Sequence, residues 1–439
     1  MAPRRRDQSS RRQFLAAAGA GAVLGACALP PNANSRRLHV GPKYYPAAPP
    51  GPDEPIRIGV IGTGGMGTEH CRAFIRLAQA GREKVAVVAV ADVCKPHLDH
   101  AQRTCAEGQP ELGEVLAFRD YRELLKRPDI HGVLIASPEH WHAQMAADAL
   151  RAGKDVYCEK PMTLRLPEAL ELRKVVLDHD RVFNVGTQHI MLGKYGEAKK
   201  LLEQGALGTV VSSQTSYCRN SKDGEWNYYA VDPEVVPGPN LDWEAWCGPA
   251  KRIPFDTLVF HRWRRYKDWS TGIVGDLLVH MMTPLFWTAN LGWPRRVSAH
   301  GDHFVDLAME NHDQVNMTVQ FDDPKHIMLI AGSTANEIGL PTNIRGHKGT
   351  LDLGGGNCRL SPERIYADEM DPQEVRCPDV ADQDEMRVRW LQCMRSRETP
   401  PGNIDLATKV MVAVDLGTRS MWEGHAFEFD PDRMRVTTA

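Results

Sequence analysis

Three side chains carry the residue types that could move a proton. They are Lys160, in the run Lys154 to Met162 (KDVYCEKPM), and Asp276 with His280, in Gly275 to His280 (GDLLVH). A lysine at the end of a strand beside a cofactor crevice is a candidate general base, and Glu159 before it could orient it. A helix over Val274 to Phe286 would put Asp276 and His280 on one face, four residues apart, where a carboxylate and an imidazole can hold a hydroxyl between them. Each motif has a plainer reading: a Glu-Lys pair before a loop proline, and an Asp/His pair making a local structural contact. What joins them is the glycine-rich turn upstream, Gly62-Thr63-Gly64-Gly65-Met66-Gly67, within IRIGVIGTGGMG. Gly62 permits the tight turn, Gly64 lets backbone approach a pyrophosphate, and Gly67 lets helix and strand pack closely. The helix that follows offers N–H groups and a partial positive charge to phosphates.

The elements that must position these residues follow in order. A strand Ile56 to Ile61 precedes the turn, a helix runs from it to about Ala80, and a strand Lys84 to Ala91 ends at Asp92. That carboxylate stands where a ribose-binding acid is needed, and it favours NAD over NADP, although Lys95 nearby could soften the preference. Further helices are expected at Lys95 to Ala106, Tyr121 to Lys126, Ala143 to Ala152 and Leu166 to His179. Strands are expected at Gly132 to Ala136, Asp155 to Cys158 and Val182 to Val185. Alternation of this kind predicts a doubly wound parallel sheet over residues 56–186. Residues 187–382 then read as an α+β domain on a mostly antiparallel sheet, with strands at Val210 to Tyr217, Gln314 to Phe321, His326 to Ile330 and Gly349 to Leu353. Two late helices, near Glu385 to Arg397 and Ala407 to Trp422 within residues 383–439, are expected to pack back on the first domain.

An insertion over residues 220–269 holds Trp226, Trp243, Trp246, Trp263 and Trp269. Such residues stack on sugar faces or serve as core, and the sequence leaves both open. A net charge of −3 and the lack of a basic stripe with interleaved aromatics argue against nucleic-acid binding. The ten cysteines are scattered without CxxC or Cys/His ligand spacing, so they read as buried thiols and no metal is expected.

At the other end, Ser10-Arg11-Arg12-Gln13-Phe14-Leu15 is a twin-arginine export motif in a leader over residues 1–29, followed by a Pro-rich linker over 30–55. The box Leu24-Gly25-Ala26-Cys27 would make Cys27 a lipid-anchored first residue. These features place the protein in the periplasm or on its membrane, exported already folded around its cofactor.

The glycine turn, Ser137 to Met162, Val185 to His189, Gly275 to His280 and the late segment Trp390 to Val410 together resemble the Gfo/Idh/MocA oxidoreductases. The resemblance implies an N-terminal Rossmann domain and an open-faced C-terminal sheet of the kind that forms homo-oligomers. It also implies sugar or cyclitol substrates. By the same resemblance Lys160 is catalytic, Asp276 and His280 contact the reacting hydroxyl, and His142 and Gln188 approach the cofactor. The cofactor-binding set is then Gly62, Thr63, Gly64, Gly65, Met66, Gly67, Asp92, Ser137, His142, Glu159, Lys160 and Gln188. Three functions stay open: an exported NAD(P)-dependent carbohydrate oxidoreductase, a glycoside hydrolase or lyase working by transient oxidation and elimination at NAD, and a non-catalytic sugar-binding protein.

Overall fold

The structure, a computed structural model, describes residues 38–39 and 49–438. The leader, Cys27 and most of the Pro-rich linker lie outside the described residues. Among the described residues no helix is long and apolar enough to cross a membrane.

Six strands form the first sheet: β1 (Ile56–Ile61), β2 (Val85–Ala91), β3 (Leu116–Phe118), β4 (Gly132–Ile135), β5 (Asp155–Cys158) and β6 (Phe183–Val185). All pairs are parallel, in the order β3-β2-β1-β4-β5-β6. Every residue of β2 is buried, which is why it reads VAVVAVA without alternation: helices cover both faces. The strand order reverses between β1 and β4. The carboxyl ends of those two strands therefore splay open into a crevice.

Ten strands form the second sheet. They are β7 (Val210–Cys218), β8 (Pro294–Asp302), β9 (Gln314–Asp322), β10 (Lys325–Ser333), β11 (Asn343–Gly346), β12 (Gly349–Asp352), β13 (Cys358–Pro362), β14 (Gln373–Val375), β15 (Phe427–Asp430) and β16 (Arg435–Thr438). Their order is β14-β13-β12-β11-β7-β10-β9-β8-β15-β16, antiparallel except for β7 with β10. In β9, Val315, Met317, Val319 and Phe321 point into the core while Asn316 and Gln320 point out, the period of a sheet with one covered face.

The C-terminal segment divides three ways, which corrects the expectation of helices packed on the first domain alone. Helix Asp382–Ser396 does pack there, with Met386, Trp390 and Met394 against Ile58, Phe74 and Leu134. Helix Ile404–Glu423 instead lies in the seam, its Val410 and Val414 in one core with Ile135 and Met317. Residues beyond it form the hairpin β15–β16, whose Phe427 and Phe429 are buried at the edge of the second sheet.

Candidate functional site

The glycine turn closes tightly over the end of β1. Gly62 has φ +82, and a Cβ there would sit 2.5 Å from the Ser137 amide nitrogen; a Cβ at Gly67 would sit 1.9 Å from the Gly62 oxygen. Only glycine fits at either place. Gly64 and Gly65 differ: a Cβ at Gly64 would come no nearer than 3.8 Å to His97, and at Gly65 it would meet nothing within 4 Å. Both face a cavity of about 1010 Å³, so the space over the turn is free for a pyrophosphate at the amino end of helix Gly65–Gln79. Asp92 lines the same cavity, its carboxylate fixed by the Thr63 amide at 2.6 Å and the Cys94 amide at 2.8 Å. Lys95 pairs with Asp99 on its own helix. Ser137, at the end of β4, lines the cavity with its hydroxyl unpartnered among the described residues. These residues fit a dinucleotide.

Across the crevice the proton-moving side chains meet. Lys160 Nζ donates to Asp276 Oδ1 at 2.9 Å and to the Asp276 carbonyl at 2.8 Å. Asp276 Oδ1 also accepts Arg264 Nε at 2.8 Å, and Oδ2 accepts the Trp226 indole at 3.3 Å. Burial pushes the Asp276 carboxyl up, but Lys160 and Arg264 overwhelm it and hold the group far below the usual carboxylate range. Asp276 is thus occupied by protein and absent from the cavity wall, whereas Lys160, Arg264 and His280 line it. No hydrogen bond joins Asp276 and His280 among the described residues. Val274–Leu278 is a π-helical turn before the α-helix Val279–Thr288, and it turns Asp276 inward beneath Lys160.

His280 keeps an enclosed Nδ1 without a partner among the described residues, and its ring lies 5.3 Å from that of His189. Burial first, then Lys160 and His189, hold it neutral, well below the ordinary histidine range.

Glu159 does not orient the Lys160 amine either. Its Oε1 accepts His70 Nε2 at 2.9 Å, and its Oε2 accepts the Lys160 amide at 3.2 Å. Because Arg387 Nε donates to His70 Nδ1 at 2.9 Å, the His70 proton must sit on Nε2. Burial raises the Glu159 carboxyl, but the His70 hydrogen bond and the Lys160 charge win and bring it to about 2. His142 bridges two strand ends, its ring nitrogens 2.7 Å from the carbonyls of Ser137 and Pro161. It and Gln188 line the cavity.

The insertion roofs the crevice. The Lys95 amide donates to the Asn240 carbonyl at 2.7 Å, and the Asp242 amide to the Val93 carbonyl at 3.1 Å, stitching it to the end of β2. Opposite, the Trp141 indole donates to the Trp246 carbonyl at 2.9 Å, and His140 Nε2 sits 2.8 Å from the same oxygen. Gly248, at φ +50, is needed here, since a Cβ would stand 2.0 Å from the Trp141 ring. Trp246 and Trp269 are buried in the insertion's own core with Val259 and Phe260, and Trp226 is buried on Asp276. Structural use of tryptophan prevails, with Trp246 and Trp263 also reaching the cavity wall. Residues missed by sequence reasoning are Arg264, whose carboxylate partner no short motif announces, and the His70–Arg387 pair, joined across 317 positions.

Residues 56–187 match the family model described as "Oxidoreductase family, NAD-binding Rossmann fold", and residues 199–429 the one described as "Oxidoreductase family, C-terminal alpha/beta domain". The chain belongs to the Gfo/Idh/MocA oxidoreductase family. An inositol 2-dehydrogenase of Gluconacetobacter diazotrophicus is 32% identical over 170 residues, 38% of this chain and 47% of that protein. An alpha-N-acetylgalactosaminidase of Shewanella oneidensis is 30% identical over 247 residues, half of each chain. The chain thus spans about half the length of the curated relatives it matches. Among solved structures, a levoglucosan dehydrogenase in complex with NADH and levoglucosan superposes with a TM-score of 0.64 at 18% identity, over 85% of this chain and 99% of that one. Its fold is therefore this family's fold, with an NAD-binding Rossmann domain.

Proposed function

We propose that the protein is an NAD-dependent oxidoreductase acting on a hydroxyl of a sugar, sugar derivative or cyclitol. The observation that carries this is the convergence of Lys160, Arg264 and a neutral His280 on the cavity that begins at the glycine turn. When bound there, NAD supplies the hydride acceptor. Lys160, held in place by Asp276, and Arg264 polarise the reacting oxygen; the neutral His280 imidazole takes the hydroxyl proton. In the reverse direction the same groups return the proton to a carbonyl oxygen. Asp276 acts through Lys160 as a positioning residue. The named activities of the relatives above, on inositol and levoglucosan, support the substrate class. Incubation of the purified protein with a panel of polyols and sugars, following absorbance of reduced nicotinamide, tests the reading. No turnover on any member together with no NAD binding overturns it.

A second reading rests on the roof. An NAD held beneath the insertion would be slow to leave, which suits glycoside cleavage by transient oxidation, and the Shewanella relative bears a glycosidase name. Glycoside cleavage without net nicotinamide reduction selects this reading. The twin-arginine motif fits either, since export after loading brings along a cofactor scarce outside the cytoplasm; Lys at both Arg11 and Arg12 should keep the protein in the cytoplasm, and Cys27→Ser should free it from membranes. Val211, Ile327 and Leu329, exposed on the second sheet, support self-association.

A further inference from the structure

The loop between β8 and β9 brings together a carboxylate and two imidazoles that the proposed reaction does not use. Asp302, His303 and His312 each offer one ligand atom within 4.8 Å of the others. The two rings meet edge to face, 4.6 Å between centroids. His303 Nε2 lies 3.2 Å from the Glu310 carbonyl, which fixes the proton on that nitrogen. Nδ1 then presents its lone pair, 3.7 Å from Asp302 Oδ1. A ring N–H given to a backbone carbonyl is how metal-bound histidines are commonly oriented.

His312 is the second, independent sign. It is 8% exposed, and its Nδ1 is enclosed without a hydrogen-bond partner among the described residues. Leaving a buried ring nitrogen unpaired is costly, so such a group calls for an occupant. Asp313 is spent elsewhere, its carboxylate accepting the amides of Phe304, Val305 and Asp306.

We propose that Asp302, His303 and His312 form a binding site for a divalent transition cation of the zinc type, with three protein ligands and a position left for water. Two imidazoles and one carboxylate, with no thiolate, suit zinc and its borderline neighbours over calcium or magnesium. The ligands come from both ends of a nine-residue separation that no linear zinc motif describes, which is why the cysteine and histidine spacing did not show them. The site also has a mechanical connection. The Arg265 carbonyl accepts the amides of Glu310 and Asn311 at 3.0 and 3.1 Å, and Asn311 Nδ2 donates to the Arg264 carbonyl at 2.9 Å. A cation that orders this loop braces Arg264, and through it Asp276.

The test uses the untagged full chain, stripped with chelator and titrated with Zn²⁺ by calorimetry, with Co²⁺ as a spectroscopic reporter. Wild type should take up one equivalent, and the cobalt complex should show d–d bands without thiolate charge transfer. Asp302→Ala, at an exposed position, and His303→Ala, at a half-buried one, should each weaken Zn²⁺ at least ~10-fold and abolish the Zn²⁺-induced rise in Tm. His312→Gln should do the same, with circular dichroism and NAD titration showing that the fold survives. Unchanged affinity in both Asp302→Ala and His303→Ala overturns the proposal, as does a thiolate band in the cobalt spectrum or no Zn²⁺ uptake by wild type.

Discussion

The floor and the roof of the cavity are made by different means. The floor rests on the ends of β1, β2, β4 and β5, where backbone is locked into a parallel sheet and glycines admit approaches that no side chain could share. The roof hangs from a few backbone hydrogen bonds to Val93 and Lys95 and from the Trp141–Trp246 contact, around a small aromatic core of its own. A floor of this kind fixes the positions of reacting groups. A roof of this kind fixes how long a ligand stays. The two regions should therefore fail differently when mutated: floor variants in the chemical step, roof variants in the exchange of ligand.

The largest effect is expected at the floor. Lys160→Met should lower turnover by ~10²–10⁴-fold while cofactor titration stays close to wild type, because its loss removes a group that acts on the reacting oxygen. Near-normal turnover of a good substrate by this variant would remove the lysine from the mechanism. Gly64→Val should abolish dinucleotide binding, since its side chain would enter the space kept for the pyrophosphate. Asp276→Asn comes next. It leaves Lys160 and Arg264 without the charge they share, so kcat should fall with a smaller change in KM. A fall in substrate affinity alone would mean that Asp276 meets the sugar after all.

The roof supplies the contrasting experiment. Trp141→Ala removes both an indole donor to the Trp246 carbonyl and an edge contact with Tyr121. A loss of about 1.5 kcal/mol, typical of an aromatic contact of this kind, corresponds to about tenfold faster release of NAD. Stopped-flow displacement measures that rate directly. If release is unchanged while turnover collapses, the roof belongs to the chemistry and the division drawn here fails.

How far these regions were legible from the chain follows from the same physics. The floor is local: IRIGVIGTGGMG, the all-apolar β2 and the strand before Glu159 each announce themselves within ten residues or so. Short edge strands such as β3 and β14 carry too few residues for a pattern, and β8 escaped because PRRVSAHGD buries only Pro294, Val297 and Ala299. Asp276 was legible as a candidate, but the partners that hold it were not. A four-residue spacing implies a shared helical face only if the turn is α-helical, and here it is π. Arg264 and Trp226, which occupy that carboxylate, sit in an insertion whose path no short-range rule describes.

A pH profile sharpens the contrast further. His280 is neutral in the resting site, held well below the ordinary histidine range by burial and by its cationic neighbour Lys160. If this imidazole takes the proton, oxidation should need its neutral form. Activity should then stay level as pH falls through the usual histidine range near 6.5 and decline only below it. A drop centred on 6.5 would place the working base elsewhere.

The smallest expected effect concerns stability of the floor. Glu159 is buried, which alone would raise its carboxyl, but the His70 hydrogen bond and the Lys160 charge bring it to about 2 from 4.5. A carboxyl whose folded value lies below its unfolded one contributes stability that is full above pH 4.5. That contribution is lost as pH falls towards 2. Replacing His70 with Gln keeps a donor for Glu159 and a neutral partner for Arg387, so the acid limb of a Tm-against-pH curve should move only slightly. His70→Ala removes the donor and leaves Glu159 and Arg387 buried without it, so the variant should lose stability most at neutral pH and converge on wild type in acid. Parallel curves for the two proteins from pH 7 to pH 3 would mean that the relay contributes nothing dependent on the charge of Glu159. Turnover of His70→Gln should remain near wild type, since the relay holds the Lys160 backbone while Asp276 holds its amine.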